Sequence, residues 1–524
     1  MKDRTVKTNK PNFIILMTDQ QRADLRKKRG FALDTMPFLD SWAEGGVDFE
    51  RAYTPNPICL AARVSMLTGR TPETHKVRTN HNFIDATYYK DILDVLRENG
   101  YQTAICGKNH SHRRNFEFDF AKTNGHLGHE GETNITPEEE EFADFMRDTH
   151  HMEVEHPSPH GAEVQFPYRN VRDALEFLDT CDKDRPFFLW ICMAEPHNPS
   201  QVPEPYFDLF PPESMPPITG AEALEGKSER FKWLRSVWEE IMGDRIEERI
   251  ARTRSNYYGM LRLIDDQFRR LTEGVSERGL NDNTHIVFLA DHGDLVGEYG
   301  LLRKGSDLAE AIVNIPMIWR GPGVSARVAR ECVNLIDVFP TVCDIIGAQI
   351  PDGVQGKSIL SLLKNENIPE GEFDAAYSES GYGGLFWDKD DLLTLEAEGA
   401  SDGARSRFDC LDTWTQCGMI RMVRSGDYKA VVDSRGEGYL YDITRDPLEL
   451  NNLWNDEKYT AVKSDMLALL VKKMLQHCDP LPYPHHRYRI KRHPLGYTEQ
   501  KISSRDTGVQ PLREYHGHKL GDKK

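Results

Sequence analysis

The sequence predicts an α/β protein: a doubly wound parallel or mixed sheet, followed by a smaller C-terminal α+β domain that contains an antiparallel sheet. Three observations carry that expectation. Four short apolar runs each break off in polar, ionisable residues, helical patterns lie between the runs, and after about residue 375 the chain changes to short alternating strands joined by turns.

The first run is Phe13-Ile14-Ile15-Leu16-Met17, continuous enough for a strand covered on both faces, and it stops at Thr18-Asp19-Gln20. Three others behave alike. Gln102 to Cys106 ends at Gly107-Lys108-Asn109-His110, Phe187 to Met193 at Glu195-Pro196-His197, and His285 to Ala290 at Asp291-His292-Gly293. In open α/β sheets the ligand crevice lies beyond the carboxyl ends of the strands, so four such ends point to one site.

Helical spacing of apolar residues runs over Tyr88 to Asn99 and Asn256 to Gly279. Later come strands at Met419 to Val423, Tyr428 to Val432 and Gly438 to Tyr441, then a helix from about Thr460 to His477. This divides the chain into a larger α/β domain over 1–375, an antiparallel sheet plus helix over 376–480, and a basic, proline-rich tail over 481–524 that wraps the surface. The acidic, histidine-containing stretch Asn115 to Pro167 and the aperiodic stretch Gly383 to Gln416 read as insertions, either lids or surface decoration.

Composition bounds the function. The chain of 524 residues is long enough for two cores, and 39% hydrophobic with 29% charged residues describes a globular protein. Its 66 basic and 84 acidic residues leave a net charge of −18, which disfavours nucleic acid and anionic lipid as partners, so an anionic substrate needs a local basic pocket. No apolar run is long enough to span a bilayer, and Met1 to Lys10 lacks a signal-peptide core. A cytoplasmic location is expected as the chain is written, or a periplasmic or secreted one if a signal has been removed. The nine cysteines show no metal-knuckle or disulfide spacing and are expected mostly reduced and buried. Monomer and oligomer are both compatible with the sequence.

Asp19 and the Asp291-His292 pair supply oxygen and nitrogen donors at two strand ends, with the Gln20 carbonyl beside them, an oxygen-rich set that favours a hard cation. Cys59 lies where the loop Asn56-Pro57-Ile58 leads into a helix-forming stretch ended by Gly69. A helix N-terminus favours anions and lowers a thiol pKa, and Arg63, four residues on, shares the Cys59 face. His112, Arg113 and Arg114 follow the Lys108 strand end and are placed either to meet a second anionic group or to balance the acidic insertion.

The run Cys59-Leu60-Ala61-Ala62-Arg63, followed by Thr68-Gly69-Arg70, resembles the sulfatase family of the alkaline phosphatase superfamily. The resemblance extends in order through Asp19-Gln20, Gly107-Lys108-x-His110, His197-x-Pro199, Asp291-His292-Gly293 and Gly300-Leu301-x-x-Lys304. It implies an alkaline-phosphatase-like fold and oxidation of Cys59 to formylglycine by a formylglycine-generating or anaerobic maturation enzyme. It also implies one divalent cation, calcium first with magnesium or manganese as alternatives, held by Asp19, Gln20, Asp291, His292 and the formylglycine oxygen at position 59. One hydroxyl of the hydrated aldehyde would attack sulfur, and the other would expel inorganic sulfate by reforming the aldehyde.

By the same resemblance Lys108 and Lys304 bind sulfate oxygens, His197 binds the substrate and protonates the leaving alcohol, His110 assists aldehyde regeneration, and Asn80 faces the pocket. The implied substrate is a sulfated carbohydrate or a small alkyl or aryl sulfate. Ala61 is the rarer variant of its position, Ala62 replaces a common serine, and His292 stands where many members have asparagine. Two alternatives stay open: a phosphonate monoester or phosphodiester hydrolase using the same formylglycine, and a binding protein without turnover if Cys59 stays a thiol.

Overall fold

The computed structural model describes residues 10–129, 135–305, 307–381 and 418–481. Its main sheet has eight strands: β1 (Asn12–Asp19), β2 (Val47–Tyr53), β3 (Gln102–Gly107), β4 (Phe120–Thr123), β5 (Phe187–Pro196), β6 (Thr284–Ala290), β7 (Met317–Arg320) and β8 (Arg327–Asn334). Their spatial order is β4-β3-β5-β1-β6-β7-β2-β8. All neighbours pair in parallel except β7, which runs antiparallel to β6 and to β2, so the sheet is mixed.

The apolar run of β1 is buried on both faces for the reason its composition suggests. Phe13, Ile15 and Met17 enter one core, and Ile14 and Leu16 the other, because successive side chains of a strand point to opposite faces. Helices α1 (Cys59–Thr68), α2 (Ile92–Glu98) and α5 (Val338–Ile346) contribute to the first core. Helices α3 (Phe166–Thr180) and α4 (Ile246–Glu277) cover the opposite face. The arrangement is the doubly wound layer structure that the sequence predicts.

Several boundaries differ from those the sequence indicates. α2 begins at Ile92 rather than Tyr88, because the Asp91 carboxylate accepts the Leu93 and Asp94 amides and caps the helix there. α4 starts ten residues earlier than its periodicity indicates, at Ile246 instead of Asn256. The stretch from Asn115 to Pro167 is not wholly an insertion. Its residues Phe120–Thr123 form the edge strand β4, and α3 begins at Phe166. Strands β2 and β8 give no clear sequence signal because Asp48, Glu50 and Arg51, and Arg327, Arg330 and Glu331, break their apolar pattern.

A second sheet has the order β12-β11-β10-β9, built from β9 (Ala375–Ser380), β10 (Ile420–Ser425), β11 (Tyr428–Asp433) and β12 (Gly438–Asp442), all antiparallel. One face packs against α6 (Thr460–Gln476) through Val423, Leu440, Met466 and Leu470, and the other meets Tyr53, Leu308 and Val313 of the main domain. The stretch Gly383 to Gln416 and the tail beyond Leu481 lie outside the described residues. Cys59, Cys106, Cys192, Cys332 and Cys343 are buried and outside any disulfide, while Cys478 is exposed. No described helix is long and apolar enough to cross a membrane.

Candidate active site

The carboxyl ends of β1, β3, β5 and β6 converge, and the loop after β2 brings Cys59 to the same place. Gly107 makes the exit from β3 possible. It adopts φ 95°, and a Cβ there would lie 2.1 Å from the Cys192 carbonyl oxygen. The following Lys108 amide then donates to that same carbonyl at 2.8 Å, which turns the Lys108 side chain towards β1.

Cys59 is the first residue of α1, whose ten residues are all buried and which closes on Gly69 in the left-handed conformation. Its Sγ lies 3.2 Å from His292 Nε2 and 3.6 Å from Asp19 Oδ1. Burial and the Asp19 charge push the thiol up, but Lys108, Lys304 and His292 outweigh them and leave it at about 7. The surrounding cations therefore favour the thiolate over what burial alone would allow.

Arg63 ties the floor of the site together. Its Nε donates to Asp291 Oδ2 at 3.0 Å, one terminal nitrogen to Asp19 Oδ2 at 3.1 Å, and the other to the Lys108 carbonyl at 3.0 Å. Arg63, Asp19 and Asp291 are all fully buried. The Lys108 ammonium also reaches Asp19 Oδ2. Burial alone would raise Asp19, yet Lys108, His197 and Arg63 hold it well below the usual carboxylate range. Asp291 is instead raised, by burial and by the neighbouring Asp19 charge.

Asp19, Cys59, Asp291 and His292 offer ligand atoms within 4.8 Å of one another, all of them buried. His292 Nδ1 lies 2.9 Å from the Gly293 carbonyl, which fixes the tautomer with Nδ1–H donating and turns Nε2 to the cluster. Although burial opposes charge on His292, Asp291 and the Cys59 sulfur raise it to about 9. Two carboxylates, a thiol sulfur and an imidazole nitrogen converge there, and that donor set fits a divalent metal.

Gln20 sits in the left-handed region, at φ 66°, held by its amide donating to Asp291 Oδ1 at 3.0 Å and by the Tyr257 hydroxyl donating to its carbonyl at 2.7 Å. Its side-chain oxygen, expected as a metal donor, accepts from Lys304 Nζ at 3.1 Å, and its Nε2 donates to Asp294. Lys304 is completely buried. The Asn80 Oδ1 accepts the Leu60 amide at 3.2 Å, so this residue braces the start of α1 beside Cys59.

His197 and His110 are half-buried at the rim. Burial depresses both imidazoles, with His126 next for His197 and Lys108 next for His110. His197 Nδ1 pairs with the Asn198 carbonyl at 2.7 Å, which leaves Nε2 for chemistry.

Four further residues belong to this region and carry no motif of their own. Asp294 accepts the Val296 and Arg303 amides at 2.7 and 2.9 Å and holds Gln20, and its place two residues beyond His292 is the available signal. Glu195, in the same run as His197, is buried and raised to about 8, chiefly by burial. Only the fold brings His126 to His197 and His151 to His126.

The possible second-anion role of His112, Arg113 and Arg114 is corrected. Asp91 accepts from His112 Nε2 at 2.9 Å and from Arg113 at 2.7 and 2.9 Å, while Arg113 also reaches Asp94 and Glu117. Arg114 lies 4.5 Å over the Phe83 ring. His112 and Arg113 are engaged by the chain itself, Arg113 in part by Glu117 of the acidic stretch, while Arg114 is exposed. Arg113→Ala is expected to lower unfolding stability by about 1–3 kcal/mol, read by denaturant titration, with KM for a sulfate ester unchanged. Burial alone would raise the Asp91 carboxyl, yet His112 and Arg113 hold it well below the usual carboxylate range. Its contribution is therefore complete above about pH 4 and declines as the pH falls below that.

A family model described as Sulfatase matches residues 11–348. An arylsulfatase of Clostridium perfringens (strain 13 / Type A) is 27% identical over 496 residues, covering 89% of this chain and 94% of its own. A choline-sulfatase of Rhizobium meliloti (strain 1021) is 23% identical over 464 residues, covering 85% and 83%. Among solved structures, a phosphonate monoester hydrolase of Agrobacterium radiobacter superposes with TM-score 0.70 at 22% identity, covering 92% and 98%. A protein in complex with its substrate D-glucosamine-2-N,6-O-disulfate superposes with TM-score 0.69 at 19% identity, covering 90% and 99%. With well over half of its length matched by the family model and its cysteine seated among metal-ligating side chains, the chain belongs to the sulfatase family of sulfuric ester hydrolases, within the alkaline phosphatase superfamily.

Proposed function

We propose that this chain hydrolyses sulfate esters to an alcohol and inorganic sulfate, using a formylglycine made from Cys59 and one divalent cation, calcium in first place and magnesium or manganese next. The observation that carries this reading is Cys59 at the start of α1, in contact with Asp19 and His292 and under the combined field of Lys108 and Lys304. Asp19, Asp291 and His292 would hold the cation with the oxygen at position 59, and Gln20 would join them by exchanging its Lys304 contact. The cation supplies Lewis acidity and neutralises charge on the sulfate oxygens.

The remaining steps belong to the side chains. Lys108 and Lys304 bind sulfate oxygens as buried ammonium groups, which answers the need for a basic pocket in a chain of net charge −18. Arg63 neutralises Asp19 and Asp291 and keeps them in place. His197, with Nδ1 engaged by Asn198, offers Nε2 to the leaving oxygen. In the free site burial depresses the His197 imidazole, and an arriving sulfate acts in the opposite sense. His110 would take up the proton released when the aldehyde returns. The alcohol is a sulfated saccharide or a small alkyl or aryl sulfate, a range supported by the arylsulfatase, the choline-sulfatase and the glucosamine disulfate bound in the related structure.

Phosphonate monoester hydrolysis is the second reading. The superposition on the Agrobacterium enzyme and the Asp291-His292 pair favour it. Mass spectrometry of the peptide spanning Cys59, on protein from its native host, tests the modification. An aldehyde at that position is expected, and an unmodified thiol would falsify the mechanism. Rates with an aryl sulfate and an aryl phosphonate monoester then rank the two chemistries, with the sulfate expected to be faster.

Metal removal gives an independent check. A ligand present at a hundredfold excess over its Kd stabilises by about 2.7 kcal/mol. Chelation is therefore expected to lower Tm and abolish activity together, and added calcium to restore both. An unchanged Tm on adding calcium to chelated protein would remove the cation from the proposal.

A further inference from the structure

The described part of the segment between β4 and β5 places a histidine against the proposed proton donor. Asn124 and His129 form an isolated bridge, and the Gly125 amide donates to the Gly128 carbonyl at 2.9 Å, so residues 124–129 make a closed turn. His126 is carried on that turn. Its ring stacks on His197 with centroids 3.9 Å apart and 28° between planes, and meets His151 edge-on at 6.0 Å. No motif or charge pattern requires this contact.

Buried polar atoms without a hydrogen-bond partner occur on the ring stacked against His197 and on two residues that flank His197 in the chain. They are His126 Nδ1, Glu195 Oε2 and Asn198 Oδ1, none of which has a partner among the described residues. Glu195 and Asn198 are 3% and 7% exposed, so solvent does not serve them freely. Asn198 is fixed in place by its Nδ2, which donates to the His151 carbonyl at 3.2 Å. Folded proteins pair nearly all such atoms, and a concentration of exceptions beside a catalytic group marks a place where a ligand completes the pairing.

We infer that His126, with Glu195 and Asn198, forms the wall that receives the leaving alcohol, and that this alcohol is rich in hydroxyl groups, a saccharide rather than an aryl group. This rests on the sulfate ester reading, in which the leaving oxygen lies beside His197. A group stacked on His197 borders whatever that oxygen is attached to. An imidazole nitrogen is a donor in one tautomer and an acceptor in the other, and a hydroxyl matches either. A carboxyl and an amide oxygen also pair with hydroxyls, whereas an aryl ring offers none of them a partner. The ring stack makes His126 a positioning residue for His197 as well, and its Nδ1 edge a determinant of specificity.

The test separates the ring from its nitrogens. His126→Phe keeps a stacked ring and removes the hydrogen bond, while His126→Ala removes both. Each variant is compared with the wild-type holoenzyme on glucose, galactose and glucosamine O-sulfates and on p-nitrophenyl sulfate, with Tm and metal content as controls. For His126→Phe, kcat/KM is expected to fall about tenfold on the saccharide sulfate that the wild type uses best, mainly through KM. It should stay within about twofold on p-nitrophenyl sulfate. For His126→Ala, kcat should fall on both substrates, as the His197 ring loses its support.

Equal losses on both substrates in His126→Phe, or none on either, overturn the inference and leave the sulfate ester reading intact. A wild type that cleaves p-nitrophenyl sulfate but no saccharide sulfate overturns the saccharide assignment alone. A wild type that cleaves no sulfate ester removes both readings.

Discussion

Cys59→Ser, left unconverted by the maturation enzyme, is expected to lose turnover by a factor on the order of 10⁴–10⁶ while retaining fold and metal. The hydroxyl would stand where the sulfur stands now, at the start of α1 beside His292 and Asp19. Attack on sulfur would give an ordinary serine sulfate ester. That ester has no second hydroxyl on the same carbon, so nothing expels the sulfate by carbon–oxygen cleavage. The expected product is protein carrying one sulfate at position 59, visible as an intact-mass increase after incubation with substrate. Repeated turnover in the unconverted variant would refute the elimination step, and an unsulfated, inactive protein would refute attack by the oxygen at position 59.

Arg63→Ala carries the second large effect. The guanidinium is fully buried and divides its donors between Asp19, Asp291 and the Lys108 carbonyl. Its removal leaves two buried carboxylates with only Lys108 and His292 close by to offset them, and breaking one side of a buried ion pair costs about 3–5 kcal/mol. Thermal unfolding should show that loss, and activity should fall to background because the proposed metal ligands lose their placement. Arg63→Lys is expected to recover little, since one ammonium cannot reproduce three divergent donor directions. Excess calcium should restore part of the Tm, because a cation held by Asp19 and Asp291 would replace some of the missing charge. A variant that keeps its Tm without added metal would show that the carboxylates are neutralised by another route.

Much of the site is legible in the sequence. The residues that terminate β1, β3, β5 and β6 stand at abrupt changes from apolar to ionisable composition, and such changes occur where a buried strand emerges into a crevice. Cys59 is locatable because a proline-containing loop and a terminal glycine bracket a short helix. Strands β2 and β8 are less visible because their charged residues interrupt the apolar pattern. Asp294 escapes notice although it follows His292 closely, since nothing in one chain's sequence distinguishes a carboxylate that ties a loop to Gln20 from one at the surface. The possible second-anion role of His112 and Arg113 fails because Asp91, which claims both, lies 21 and 22 residues away from them.

The sequence by itself determined the layered α/β class, the strand ends that supply the donors, and the cysteine around which they gather. These follow from local composition, since a buried strand must be apolar along its length and a catalytic edge must be polar where it stops. Only the tertiary structure decided that Arg63 spans both carboxylates, that Gln20 is shared between Lys304 and Asp294, and that His126 stacks on His197. Each of these is a contact between segments far apart in the chain, and its geometry is set by how strands and helices pack rather than by any neighbouring residue.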